Sequence, residues 1–146
     1  MNTMIIVVFG TPGPQGSKRF VGMSKKTGRG ILIESSTKVK SWRQDVKFAA
    51  LAVRNGSAPL DCPLRVSVVF TLPKPKSAPK TRQTWPMRTP DYDKLLRSTF
   101  DGLTEAGIWA DDARVVEMGP SAKRYPNEGE HALDTPGAWI LIEAVR

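Results

Sequence analysis

An α/β fold of the α+β kind, one mixed β-sheet covered by two main helices, is what this chain predicts. Three observations predict it. Short β-branched, apolar runs recur along the chain, two longer stretches repeat apolar residues at helical spacing, and no internal repeat or linker divides the 146 residues. That length suits one domain, residues 1–146, with a real hydrophobic core.

The elements follow in order. Ile5 to Phe9 is a continuous apolar run, as a buried strand requires, and Ile31 to Glu34 is a short second strand. The Ser35-Ser36-Thr37 cluster can cap a helix in which Val39, Trp42, Val46, Ala49, Ala50 and Val53 recur at helical spacing, until Asn55-Gly56 stops it. Leu64 to Leu72 is β-branched and apolar, hence a central strand. A second helix runs from about Lys94 to Ala106, with Leu95, Leu96, Thr99, Phe100 and Leu103 on one side and Gly107 as its left-handed stop. Val115 to Met118 and Ala138 to Val145 complete the order β-β-α-β-α-β-β.

Composition excludes several classes. The longest apolar stretches, Met4 to Phe9 and Ala138 to Ile142, fall far short of the roughly 20 residues of a membrane span. Met1-Asn2-Thr3 carries no basic side chain of a signal peptide, so the expected location is the cytoplasm of whatever cell makes the protein. Cys62 and His131 are the only cysteine and histidine, which rules out a disulfide framework and a zinc site of Cys and His. A catalytic His131 is disfavoured as well, because Asn127-Glu128-Gly129-Glu130 before it reads as a flexible loop. Neither glycine-rich loop has a nucleotide-binding pattern.

Charge is more informative than the net value of +8. Residues 1–100 hold 18 Lys and Arg against 5 Asp and Glu, whereas residues 101–146 hold 4 against 9. Within the basic part, two acid-free segments stand out. Residues 10–30 carry Lys18, Arg19, Lys25, Lys26 and Arg29 between glycines and prolines, and read as a mobile basic loop. Residues 73–90 carry Lys74, Lys76, Lys80, Arg82 and Arg88 among five prolines. Long loops of this kind in a small domain are usually functional or disordered, and two of them point to a polyanion surface. With Lys94 they make a candidate DNA-binding set.

Carboxylates sit at the mouth of this basic region. Lys74 to Thr89 runs into Pro90-Asp91-Tyr92-Asp93, and Asp111-Asp112 follows further on. A protein that only held DNA gains nothing from acids there, since they repel phosphate, whereas a nuclease needs them to hold Mg²⁺. Two geometries are open. With Thr89 as N-cap, Asp91 and Asp93 point about 200° apart around the helix axis and cannot share a metal. With Asp93 as N-cap, Asp91 lies in extended chain and both project to one side. The return from Gly107 to Asp112 is long enough to bring Asp112 back near the helix start, and Arg97 lies one turn beyond Asp93. The competing interpretation of Asp111-Asp112 is a solvated turn.

Pro90-Asp91-Tyr92-Asp93-Lys94-Leu95, Phe100-Asp101-Gly102-Leu103 and Ala106-Gly107-Ile108-Trp109-Ala110-Asp111-Asp112 with Val115 resemble the RusA family of Holliday junction resolvases, common in bacteriophages and prophages. The resemblance is dense over residues 90–117 and weaker at Gly10 to Arg19 and Trp42 to Ala50. It implies a homodimeric, Mg²⁺-dependent endonuclease making paired cuts in four-way DNA junctions during recombination and repair. It places the family's essential acids on Asp91, Asp93 and Asp112, and its catalytic cation on Arg97, where Lys is more usual. Lys94 is a second departure, since Asn commonly follows the second acid.

Three carboxylates in one site raise one another's pKa unless a divalent cation compensates them. Mg²⁺ fits such oxygen ligands, with Mn²⁺ able to substitute, and keeps waters that can supply the attacking hydroxide. Asp91, Asp93 and Asp112 are the expected ligands, Asp111 a supporting residue, and Arg97 the group that stabilises the charged phosphate. A two-fold dimer is the simplest way to cut two symmetric strands of branched DNA. The alternative is a non-catalytic DNA-binding recombination accessory protein whose acids serve only as helix caps.

Overall fold

The computed structural model describes residues 3–14, 18–23, 30–34 and 37–146, with side chains at 3–14 and 41–146. Its elements are β1 (Thr3–Phe9), β2 (Lys18–Met23), β3 (Gly30–Glu34), α1 (Thr37–Arg54), β4 (Leu64–Thr71), α2 (Tyr92–Glu105), a 3₁₀ turn (Asp112–Arg114), β5 (Val115–Met118), β6 (Ala122–Arg124) and β7 (Gly137–Ala144). The main sheet has the order β1-β7-β4-β5, and β6 pairs with β4 beyond β5. Its core pairings, β1 with β7 and β7 with β4, are antiparallel, while β5 and β6 lie parallel to β4. The sheet is therefore mixed and the architecture α+β.

Strand alternation decides which side chains build the core. Ile6, Ile140 and Val68 stand in one row across β1, β7 and β4, and all three are fully buried. Both helices cover that face. Trp42, Val46 and Ala50 of α1 and Leu95 and Leu103 of α2 pack against it, each large side chain contributing roughly 1.5–3 kcal/mol by leaving water. The helices meet closely at Gly102, where a Cβ would lie 2.9 Å from the Val46 side chain. A buried polar contact ties them further, as Trp42 Nε1 donates to Thr99 Oγ1 at 3.0 Å.

Helix α2 ends as its sequence requires. Gly107 has φ 73, the left-handed conformation that turns the chain toward Ile108 and Trp109. Trp109 then packs edge-on against Phe100 of α2, with ring centroids 5.2 Å apart, so the chain after the helix is held beside it. This places the Asp111-Asp112 turn.

Three expectations need correction. Ile5 to Phe9, expected as a buried strand, forms the edge strand β1, in which Ile6 and Val8 are buried under the helices while Ile5, Val7 and Phe9 are exposed on the other face. Residues 10–30, expected as a mobile basic loop, contain strand β2, which pairs antiparallel with β3 from Lys18↔Glu34 to Met23↔Gly30. Phe20-Val21 is too short an apolar run among basic and glycine residues to read as a strand from sequence, and only the backbone pairing with β3 identifies it. Strand β6 is also additional. Its three residues carry two cations and no apolar run, and their strand geometry comes from pairing along β4, Val69↔Ala122 to Thr71↔Arg124. Of the expected cap cluster, Ser35 and Ser36 lie outside the described residues, and α1 begins at Thr37.

Candidate active site

The start of α2 follows neither arrangement expected from its sequence. Asp91 is the N-cap, in extended conformation at φ −72 and ψ 144, and its carbonyl accepts the first helical bond from Leu95 N at 3.1 Å. Asp93 falls in the first turn. An N-cap aspartate usually accepts a bond from the N–H two or three residues on, but the Asp91 carboxylate makes no such cap bond. It is half exposed and lies 3.6 Å from Lys94 Nζ. Its one partner among the described residues is therefore the exposed Lys94 ammonium, one turn into the helix. Asp93 and Arg97 are exposed, one turn apart on α2.

Buried groups fix this helix start from behind. The Tyr92 ring lies edge-on to Phe70, with centroids 5.3 Å apart, and its hydroxyl donates to the Val68 carbonyl at 2.7 Å. Burial pushes the Tyr92 phenol up. Ahead of it, Lys123 Nζ donates to the carbonyls of Arg88 at 2.9 Å and Pro90 at 3.0 Å. That ammonium holds the chain entering Asp91 from both sides of Thr89. Lys123 escapes sequence reasoning because nothing in residues 90–117 points to it. The available signal was a pair of cations, Lys123 and Arg124, in an otherwise acidic region.

The third expected acid sits in a different carboxylate group. Asp111 caps the 3₁₀ turn, accepting from Ala113 N at 2.7 Å, and Asp112 is the first residue of that turn. Burial pushes the Asp112 carboxyl up, and its hydrogen bond with Asp111 and the charges of Asp111 and Asp101 push it further. Asp111 moves the other way, held down first by the Ala113 N–H and then by the hydrogen bond with Asp112. The two carboxyls thus behave as one pair with unequal affinity for a proton. Asp101, the α2 acid acting on Asp112, lies about 12 Å along the helix from Asp93 at 1.5 Å per residue. Among the described residues, no three Asp, Glu, His or Cys side chains gather closely enough to cage a metal ion.

The expected DNA-binding cations divide into three groups. Lys76, Lys80, Arg82, Arg88 and Lys94 are exposed. Lys18 and Arg19 lie in β2, whereas Lys25 and Lys26 lie outside the described residues. Lys74 departs from expectation. Its ammonium pairs with Glu128, donates to the Arg82 carbonyl at 3.3 Å and lies 5.8 Å from the Tyr125 ring centroid. Glu128 also accepts from Thr84 N at 2.9 Å, and Arg124 lies over the Trp85 ring at 5.0 Å. Lys74 is consequently a fastener of the 73–90 loop, and that loop is laced to the segment after β6. His131 stacks on Trp139 at 3.6 Å, on the sheet face opposite the helices, which removes it from the α2 site.

The family profile described as Endodeoxyribonuclease RusA matches residues 10–132 of this chain. Over 30 residues the chain is 53% identical to the crossover junction endodeoxyribonucleases RusA of Enterobacteria phage 82, Escherichia coli and Shigella sonnei. That stretch is 20% of this chain and 25% of each relative, so the chain aligns with about a quarter of the length of these curated relatives.

Proposed function

Because the chain belongs to the RusA endodeoxyribonuclease family, we propose that it is a Mg²⁺-dependent endonuclease that resolves four-way DNA junctions by paired symmetric cuts in recombination and repair. One observation carries the reading. The Asp91 carboxylate makes no cap bond at the start of α2 and is half exposed beside Lys94, just after a stretch whose backbone Lys123 holds, so an acid stands at the mouth of a cationic segment.

Carboxylates are the ligand type of a hard, oxygen-liganded cation, although among the described residues the three expected ones are not gathered. Asp91, Asp93 and Asp112 are the proposed ligands, with Asp111 supporting Asp112 through their shared hydrogen bond. Burial first, and then the neighbouring Asp111 and Asp101, raise Asp112, and a divalent ion would relieve the charge part of that effect. When bound, Mg²⁺ compensates that charge and supplies a water acidic enough to attack phosphorus. Arg97, exposed one turn from Asp93, offers a planar cation to the phosphate as negative charge builds on it. Lys76, Lys80, Arg82, Arg88 and Lys94 draw the DNA backbone toward the acids, and a homodimer supplies the second site that paired cutting needs.

The non-catalytic accessory reading keeps one observation in its favour, the lack of three gathered ligands among the described residues. One experiment separates the two. A labelled synthetic junction is incubated with the protein in Mg²⁺ or in EDTA and run on a denaturing gel. Symmetric nicks in Mg²⁺ alone support the endonuclease, whereas binding without nicks supports the accessory protein.

A further inference from the structure

Beside Asp91 the chain leaves a cleft of about 360 Å³ between the Thr11–Pro14 segment and the 73–90 loop. Six prolines, Leu72 and the buried Tyr125 form its walls, and Thr11, Arg88 and Thr89 are its polar groups. The last wall residue, Pro90, directly precedes Asp91.

Both walls are held in place. Ser98 Oγ of α2 donates to the Gly13 carbonyl at 2.6 Å, and Gly10 N donates to the Pro136 carbonyl at 3.2 Å, which fixes the first wall. Lys123 fixes the second through the carbonyls of Arg88 and Pro90. The floor is tied as well, since Leu72 N donates to the Arg124 carbonyl at 2.8 Å. The cleft is therefore preformed and does not depend on a ligand to open it.

We propose that this cleft receives one unstacked nucleobase of the DNA strand whose phosphate lies at Asp91 and Asp93, a proposal that rests on the nuclease reading above. Chemistry favours a base over a phosphate. Proline rings and an aromatic ring offer flat apolar surface to a heterocycle, while the Thr11 and Thr89 hydroxyls and the Arg88 guanidinium can bond its polar edge. A cleft of 360 Å³ lies at the small end of ligand sites, suited to one ring system rather than to a stretch of chain. Its place one residue from Asp91 couples occupancy to the position of the scissile phosphate. Unstacking is least costly where stacking is already broken, and in a four-way junction that is the exchange point. The cleft thus selects where the strand is cut.

The test uses the full wild-type chain in EDTA and synthetic junctions carrying 2-aminopurine at successive positions flanking the exchange point. One probe position should brighten on binding as its stacking is lost. Thr11→Phe, a change at an exposed rim residue, should fill the mouth, suppress that rise and slow Mg²⁺-dependent cutting about tenfold, the size of one lost base-stacking contact. A junction that binds with no probe responding overturns the cleft alone, and so does a Thr11→Phe protein that keeps the full rise. A junction that does not bind at all overturns the nuclease reading and the cleft together.

Discussion

Replacing Lys123 by Met removes the ammonium that grips the chain before Asp91 while keeping the length of the side chain. Its two bonds, 2.9 Å to the Arg88 carbonyl and 3.0 Å to the Pro90 carbonyl, bracket Thr89. Hydrogen bonds to a charged group are worth about 1.5–3 kcal/mol when shielded. One of these is exposed and the other partly buried, so screening brings their joint contribution to on the order of 1–2 kcal/mol. A loss of that size leaves the fold intact, because Lys123 contributes nothing to the core, but it releases the segment that positions Asp91. A displacement of about 1 Å in a reacting constellation costs up to about 10²-fold in rate. Single-turnover cleavage of a labelled junction at saturating protein should therefore fall about 10- to 100-fold in Lys123→Met, with Lys123→Arg intermediate. Junction affinity and its salt dependence are measured alongside. If Lys123 only touches phosphate, the slope of log K against log salt should flatten by about 0.9 while the saturated rate is unchanged. A wild-type rate at saturation would refute the positioning role.

Asp93→Asn should abolish Mg²⁺-dependent nicking while junction binding survives or tightens, since phosphate repulsion is lost with the ligand; near-wild-type cutting in the gel assay would remove Asp93 from the site. Arg97→Ala should lower single-turnover cleavage about 10²-fold and Arg97→Lys less, with little change in junction affinity, as expected for a preorganised donor acting on developing charge. Asp112 holds its proton above the usual carboxylate range, so the fold's preference for its neutral form is present at low pH and lost as pH rises through the folded value. Asp112→Asn should accordingly leave the metal-free protein as stable at pH 7 as wild type or more so by thermal melting, and a clear loss of stability would contradict the assigned direction. Thr99→Val strands the buried Trp42 N–H and should cost about 1–3 kcal/mol, a fall in melting temperature readable by calorimetry, without a matching change in junction affinity.

Local pattern determined a good part of this protein. The apolar runs behind β1, β4, β5 and β7 and the helical spacing behind α1 and α2 are legible because a strand or helix face is written in adjacent residues, at period 2 or 3.6. Gly107 announced the end of α2 for the same reason, and the dense motif over residues 90–117 announced the family. Tertiary structure decided what depended on partners far along the chain. Lys74 reads as a free cation until the fold sets Glu128 against it, 54 positions away. Residues 18–23 read as loop until β3 pairs with them. Asp91 became an N-cap whose carboxylate makes no cap bond, and Asp112 joined Asp101 and Asp111, as Trp109 packs on Phe100 and Lys123 grips Pro90. Side-chain type tells which chemistry a residue can perform, but distance between chemical groups is a property of the packed chain. Hence the sequence offers the acids as candidates, while their surroundings came only from the fold.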